Sequence, residues 1–150
     1  MHKRSVKMPS FRRAGLVAGL VATLTAAGGA LAATPASAGV NCSAGYHCLF
    51  YTDVNSSKHS YFNTDGNFSN DTFGGGNGVG SGQVVNNNSW AASNSSTGGY
   101  ESHYYDGFNS SGFLFCVNPG ATVHSLPTNL RDRASSLLLR GTTSVPCISN

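Results

Sequence analysis

Charge is scarce in this sequence. Charged side chains make up 10% of its 150 residues, nine Lys and Arg against six Asp and Glu, and Glu101 is the only glutamate. The formal charge of +3 is unevenly placed: Lys3, Arg4, Lys7, Arg12 and Arg13 lie within the first 38 residues, leaving four basic against all six acidic side chains in the other 112, a net −2. A body without a basic face has little to hold a phosphate backbone, so nucleic acid is not an expected partner. With a single glutamate, a glycosidase carboxylate pair would have to draw on aspartates. Long apolar runs are missing too. Beyond residue 38 none approaches the roughly 20 residues of a membrane span, so no membrane association is expected for that part of the chain. Helix formers give way there to 15 Gly, 14 Asn and 18 Ser, residues that favour turns, caps and left-handed positions over helix interiors.

The first 38 residues are of a different kind. A basic start leads into an apolar run from Ala14 to Ala27 and then into small residues ending Ala36-Ser37-Ala38. That is the order of a secretory signal peptide, with cleavage expected between Ala38 and Gly39 and a weaker alternative after Ala30-Leu31-Ala32. The expectation is a leader over 1–38 and a secreted, extracellular domain over 39–150. Its four cysteines, Cys42, Cys48, Cys116 and Cys147, then face an oxidising compartment, where an even count predicts two disulfides. Three pairings are possible; proximity favours Cys42–Cys48 and Cys116–Cys147. A zinc site built from Cys42, His47 and Cys48 would match no common finger spacing, so no metal and no cofactor is expected.

Short apolar and aromatic pieces alternate with turn-rich stretches. Cys48 to Tyr51, Tyr61-Phe62, Gln83 to Val85, Ser89 to Ala92, His103 to Tyr105, Gly112 to Val117, Thr122-Val123 and Ser135 to Leu139 read as strands, with a helical turn as the alternative for the last. Strands this short and this regularly broken predict an all-β sandwich or barrel. The run Phe73 to Gly82 holds six glycines but fits no phosphate-cradling pattern, and predicts a flexible surface loop. Tyr51, Asn55-Ser56-Ser57 and Tyr61 return 54 residues later as Tyr105, Asn109-Ser110-Ser111 and Phe115, which suggests two copies of one β unit. From Tyr105, six residues lead to Gly112, a spacing suited to a folded hairpin whose backbone turns with φ > 0; Lys58 holds the glycine's place in the first copy.

These features resemble the βγ-crystallin fold, in which an aromatic, six residues and a glycine open a Greek-key unit that later reaches a Ser-containing segment, here Arg131-Asp132-Arg133-Ala134-Ser135-Ser136. The opening from Cys42 to Phe50, the block Gly82 to Trp90, and Pro119-Gly120-Ala121 leading to Ser125-Leu126-Pro127 are similar to a family of secreted bacterial peptidase inhibitors. Its prototype is the Streptomyces metalloproteinase inhibitor. The resemblance covers most of 42–140 and implies two Greek-key units around one disulfide-braced core. It also implies an extracellular protease, of the metalloprotease class, as partner. The prototype's Cys-Val reactive bond has a counterpart dipeptide in Cys116-Val117, but no second cysteine follows closely to close a loop. The crystallin calcium pattern is degenerate, since Arg131 stands at its first acidic position and the Asn86 to Trp90 block lacks its final serine.

No G-x-S-x-G elbow, H-E-x-x-H helix or Cys/His signature accompanies His47, His59, His103 and His124, so the chain is not expected to be an enzyme. The leading expectation is a monomeric protease inhibitor presenting a rigid loop. Its candidate residues are Val117, Asn118, Pro119, Gly120 and Pro127, within the stretch to Arg131, and the segment Asn63 to Ser81 is a second candidate. The alternative is a crystallin-type binding or toxin-like module acting on cell walls or carbohydrate through rings and amides around Trp90, Tyr100, Tyr104 and Tyr105.

Overall fold

Runs of four to seven residues with aromatic and β-branched side chains, separated by Gly, Asn and Ser, give seven strands in the computed structural model, which describes residues 38–149. Of the leader expected over 1–38, all but Ala38 lies outside the described residues. The strands are β1 (His47–Phe50), β2 (Lys58–Tyr61), β3 (Ala91–Asn94), β4 (Glu101–Gly107), β5 (Ser111–Val117), β6 (Thr122–Val123) and β7 (Ser136–Arg140). Two single 3-10 turns, Phe68–Asn70 and Thr128–Leu130, are the helical content among the described residues. The described part of the chain is thus all-β. Ser136–Arg140 is a strand and not a helical turn. Gln83 to Val85, expected as a strand, makes only one bridge, between Thr72 and Val84, and the second strand ends at Tyr61, leaving Phe62 exposed.

Two antiparallel sheets carry the fold, one in the order β2-β1-β3-β6 and the other β5-β4-β7. Each half of the chain lends backbone to the other's sheet. From the second half, β6 pairs with β3, Ala92 opposite Val123. From the first half, Asp65 bridges Leu137 of β7, with hydrogen bonds in both directions at 2.9 and 2.7 Å. A second reciprocal exchange joins the segments before β3 and β7: Asn87 N–H donates to Ala134 O at 3.0 Å and Asp132 N–H to Ser89 O at 3.1 Å. Asn87 and Asp132 both adopt left-handed backbone, φ +58° and +53°, which Asn and Asp tolerate best among side-chain-bearing residues. The 54-residue echo brings β1 onto Glu101 to Tyr104, yet the registers differ. Leu49 faces His59, whereas its counterpart His103 faces Cys116, because the second hairpin is longer and bulges between Tyr104 and Tyr105.

Side chains alternate across β1. Leu49 enters the main core with Tyr61, Phe68, Phe73, Tyr104, Phe115, Val117, Leu126 and Leu137. Cys48 and Phe50 point the other way into a small cluster with Cys42, Val54 and Ala91, so the first disulfide shields the outer face of its sheet. Tyr61 stacks on Phe68 (centroids 4.7 Å apart) and Tyr104 packs against Phe115 (4.8 Å), filling the space between sheets with rings. The bridges are Cys42–Cys48 and Cys116–Cys147, the pairing that proximity favours. Two disulfides fit an oxidising environment. Among the described residues no helix is long and apolar enough to cross a membrane.

The glycine-rich stretch departs from the expectation of a flexible loop. Its backbone is tied down: Ser57 N–H donates to Val79 O (3.0 Å), Asn77 N–H to Asn55 O (3.0 Å) and Gly82 N–H to Phe73 O (2.9 Å). The physical reason is Tyr51, whose ring lies over Gly80 so closely that a Cβ there would fall 2.2 Å from the ring's Cγ, at a φ of +82°. Where the first hairpin has Lys58, its aromatic finds a glycine from this loop instead. Gly80→Ala is therefore expected to cost ~1–3 kcal/mol through overpacking and the left-handed backbone together. Gly78→Ala, at φ +86° with nothing within 4 Å, carries only the conformational part. Urea midpoints of the two variants measure the difference, and equal losses would remove the ring contact from the account.

Candidate functional site

The candidate inhibitory residues do not form one exposed loop. Val117 is fully buried in β5, and Cys116 beside it is buried as well, so the bond between them lies inside the sandwich where a protease cannot reach it. Asn118 to Ala121 form a short turn, closed by Ala121 N–H on Asn118 O at 3.0 Å and pinned to β3 by Gly120 N–H on Asn94 O at 2.8 Å. Pro127 is exposed, on the far side of buried Leu126. In the second candidate segment, Val79 presents its side chain to solvent, but its N–H is held by Asn77 Oδ1 and its C=O by Ser57 N–H.

Of the rings expected to face a ligand, Tyr104 and Tyr105 are core residues, while Tyr100 and Trp90 reach the surface. Trp90 is engaged within the chain. Its indole N–H donates to Asp132 Oδ2 at 2.8 Å, and the Arg131 guanidinium sits 4.8 Å from its centroid, a cation–π contact. Arg131 also donates to Leu126 O and Ser125 Oγ, so a fixed positive charge occupies the place where the calcium pattern would put an acid. Tyr51, Thr52, Asn88 and Asp132 complete a hollow of about 260 Å³ around the indole.

Tyr100 instead flanks a larger groove of about 380 Å³ at the other end of β1, lined by Gly45, His47, Phe62, Asn63, Thr64, Ser96, Thr97, Gly98, Tyr100 and Leu139. Four pieces of chain meet here: the approach to and start of β1, the exit from β2, the connection from β3 to β4, and β7 through Leu139. Glycines set its rings. Phe62 lies over Gly45, where a Cβ would stand 3.5 Å from the ring at φ +87°, and Tyr100 lies over Gly98, where it would stand 2.9 Å from the ring. Tyr46 packs against Phe62 with the rings tilted at 59° and their centroids 5.5 Å apart. Phe62 is 62% exposed and Tyr100 49%, so each leaves much of its side chain open to solvent.

Buried Asn94 braces the connection that carries Tyr100. Its Nδ2 donates to Tyr100 O and Val117 O, both at 2.9 Å, and its Oδ1 accepts from Ser96 N–H at 2.9 Å. Ser96 Oγ in turn accepts from Tyr100 N–H at 3.0 Å. The floor is His47, whose Nδ1 meets Ser102 Oγ at 2.6 Å across the two sheets. Burial holds the His47 pKa down to about 4, so the imidazole is neutral at ordinary pH. A Ser–His pair invites comparison with a hydrolase, but Ser102 is fully buried and no substrate atom can reach its oxygen. Among the described residues the groove lining therefore holds aromatic rings, hydroxyls and an amide, and no charge. The sequence points to Tyr100 as a ligand-facing ring and to Asn63 and Thr64 only as the start of a candidate inhibitory segment, and it gives no sign of Phe62 or Asn94; the polar run Ser95 to Gly99 before Tyr100 is the signal that marks the connection.

Beneath this region the lone glutamate is buried. Glu101 Oε2 accepts from His103 Nε2 at 2.7 Å and from Thr143 Oγ1 at 2.8 Å, and Oε1 accepts from Thr143 N–H at 2.9 Å. Burial disfavours the carboxylate, but the bonds from His103 and Thr143 outweigh it and hold the pKa below its ordinary value. A depressed carboxyl pKa contributes stability above the unfolded pKa that is lost as pH falls through the folded one. Glu101→Gln should therefore be less stable than the parent at neutral pH, and the gap should close in acid. Denaturant midpoints from about pH 7 to about pH 3, spanning the ordinary glutamate value, test this; a gap that stays constant would mean the charge is not what matters.

Scans against protein-family models and searches of curated proteins and of solved structures find no match to this chain.

Proposed function

We propose that this chain is a secreted, non-catalytic binding module that holds a neutral glycan, such as a cell-wall or extracellular polysaccharide, in the groove between Phe62 and Tyr100. The observation that carries the reading is the composition of that groove. Two exposed rings suit the apolar faces of sugar rings, Asn63, Thr64 and Thr97 offer the donors and acceptors that hydroxyls need, and the missing charge favours a neutral ligand over an anion or a peptide terminus. The scaffold we propose is a pair of crystallin-like Greek-key units. In its favour, each unit's hairpin, β1-β2 or β4-β5, is followed by a segment that crosses to the opposite sheet and then by a strand, β3 or β7, that returns beside the first.

Affinity electrophoresis or calorimetry against neutral β-linked glucans and N-acetylhexosamine polymers tests the reading. Removing either ring, Phe62→Ala or Tyr100→Ala, should weaken binding about tenfold or more, as one ring's contact area is worth ~1.5–3 kcal/mol. Trp90→Ala should leave it nearly unchanged. A protein that passes every such polymer unretarded would overturn the proposal, as would ring variants that bind like the parent. Protease inhibition is the second reading, favoured by the pinned Asn118–Ala121 turn two residues from the Cys116–Cys147 bridge. A preorganised turn has already lost its ordering entropy. Titration into metalloproteases and serine proteases separates the two readings, since undiminished protease activity at micromolar protein counts against this one alone.

A further inference from the structure

The Cys116–Cys147 bridge lies against the buried Glu101–His103 pair. One carboxylate oxygen, one imidazole nitrogen and the two Sγ atoms all fall within 4.8 Å of one another. Glu101 and His103 stand two apart on β4 and so share a face, and Cys116 of β5 is directly opposite His103. While the sulfurs are bonded to each other they offer no thiolate. We propose that reduction of this bridge converts the corner into a tetrahedral zinc site made of Glu101, His103, Cys116 and Cys147.

Donor type and spacing both point to zinc. Two thiolates, an imidazole and a carboxylate are ligands zinc accepts, and atoms placed around it at ordinary bond lengths lie roughly 3.3–3.8 Å apart. The existing constellation needs to close by about 1 Å, apart from the two sulfurs, which must separate. Cleaving the bridge does not free Cys147, because the chain is held on both sides of it. Thr143 is fixed to Glu101 through its N–H and hydroxyl, and Ile148 N–H donates to Cys116 O at 2.8 Å, where Ile148 pairs with Val117. The Thr143 N–H on Glu101 Oε1 would orient the carboxylate, the kind of support metal ligands usually have, while zinc on Oε2 would displace the hydrogen bonds that this oxygen now accepts from His103 Nε2 and Thr143 Oγ1. His103 Nδ1 is buried without a hydrogen-bond partner, so the ring is not committed on that side. Around Cys42–Cys48 no comparable set gathers among the described residues: His47 is turned to Ser102.

The chemistry balances with a thiol reductant. A dithiol gives two electrons and two protons to the bridge and closes to its own disulfide; zinc then displaces both protons from the new thiols. Binding is accordingly expected to tighten as pH rises. A trialkylphosphine serves better in the experiment, since it becomes the phosphine oxide with oxygen from water and leaves no dithiol competing for metal.

The purified protein, oxidised or phosphine-reduced without air, is given zinc alone, desalted and assayed for metal. The reduced form is expected to retain one zinc per chain and the oxidised form none, and Glu101→Gln and His103→Gln should each weaken retention about tenfold or more. Alkylation mapped by mass spectrometry gives a readout on the unmutated chain: zinc should protect Cys116 and Cys147 and leave Cys42 and Cys48 reactive. A reduced protein that holds no zinc would overturn the proposal. So would protection of Cys42 and Cys48 instead, or a Glu101→Gln/His103→Gln double variant that binds as tightly as the parent.

Discussion

The reciprocal exchange of backbone between the two halves is the constraint on which the rest depends. Neither half completes its own sheet: β3 has β6 on its outer edge and β7 has Asp65 on its own. Strands of two to seven residues bury too little to stand alone. Pairing each half into the other's sheet covers edges that would otherwise offer unpaired N–H and C=O groups to other chains. It also encloses one ring-filled core where two small ones would fail.

Glycine shapes that arrangement at close quarters. Tyr51 over Gly80, Phe62 over Gly45 and Tyr100 over Gly98 are three uses of one device. A ring sits close where the chain beside it carries no Cβ, and the positive φ at Gly80 and Gly45 is available at no steric cost. The first contact orders a loop; the other two pose exposed rings beside a groove. With so few charged residues, ring-on-backbone packing and Asn, Ser and Thr hydrogen bonds take over the orienting work that ion pairs do elsewhere. Arg133–Asp106, both half exposed, contributes little by comparison.

The strands were legible because aromatic and β-branched clusters stand between turn residues, and the second hairpin was marked by Gly112, whose φ is +68°. The disulfide pairing followed from proximity. What the sequence concealed is long-range. Asp65 joining β7 depends on a partner 72 positions away, and nothing local in Asn63 to Asn67 signals it. Phe73 to Gly82 looks flexible by composition because its order comes from Tyr51, Asn55 and Ser57 elsewhere in the chain. The groove was half visible for the same reason. Tyr100 sits in a recognisable polar run, but Phe62 becomes a surface ring only because β2 stops at Tyr61, and Asn94 acts through carbonyls of Tyr100 and Val117 that only the fold brings to it.

The groove draws its two rings from opposite halves of the chain, Phe62 leaving the first hairpin and Tyr100 entering the second. Its shape therefore exists only when the halves have docked, and it disappears with the cooperative unit. Any molecule seated there is linked to the global folding equilibrium and not to a local loop. At a free concentration a hundredfold above its Kd, such a ligand would add about 2.7 kcal/mol to the stability of the native state. In a chain this sparing of charge, a ligand bound in the groove would become part of what keeps the two halves together.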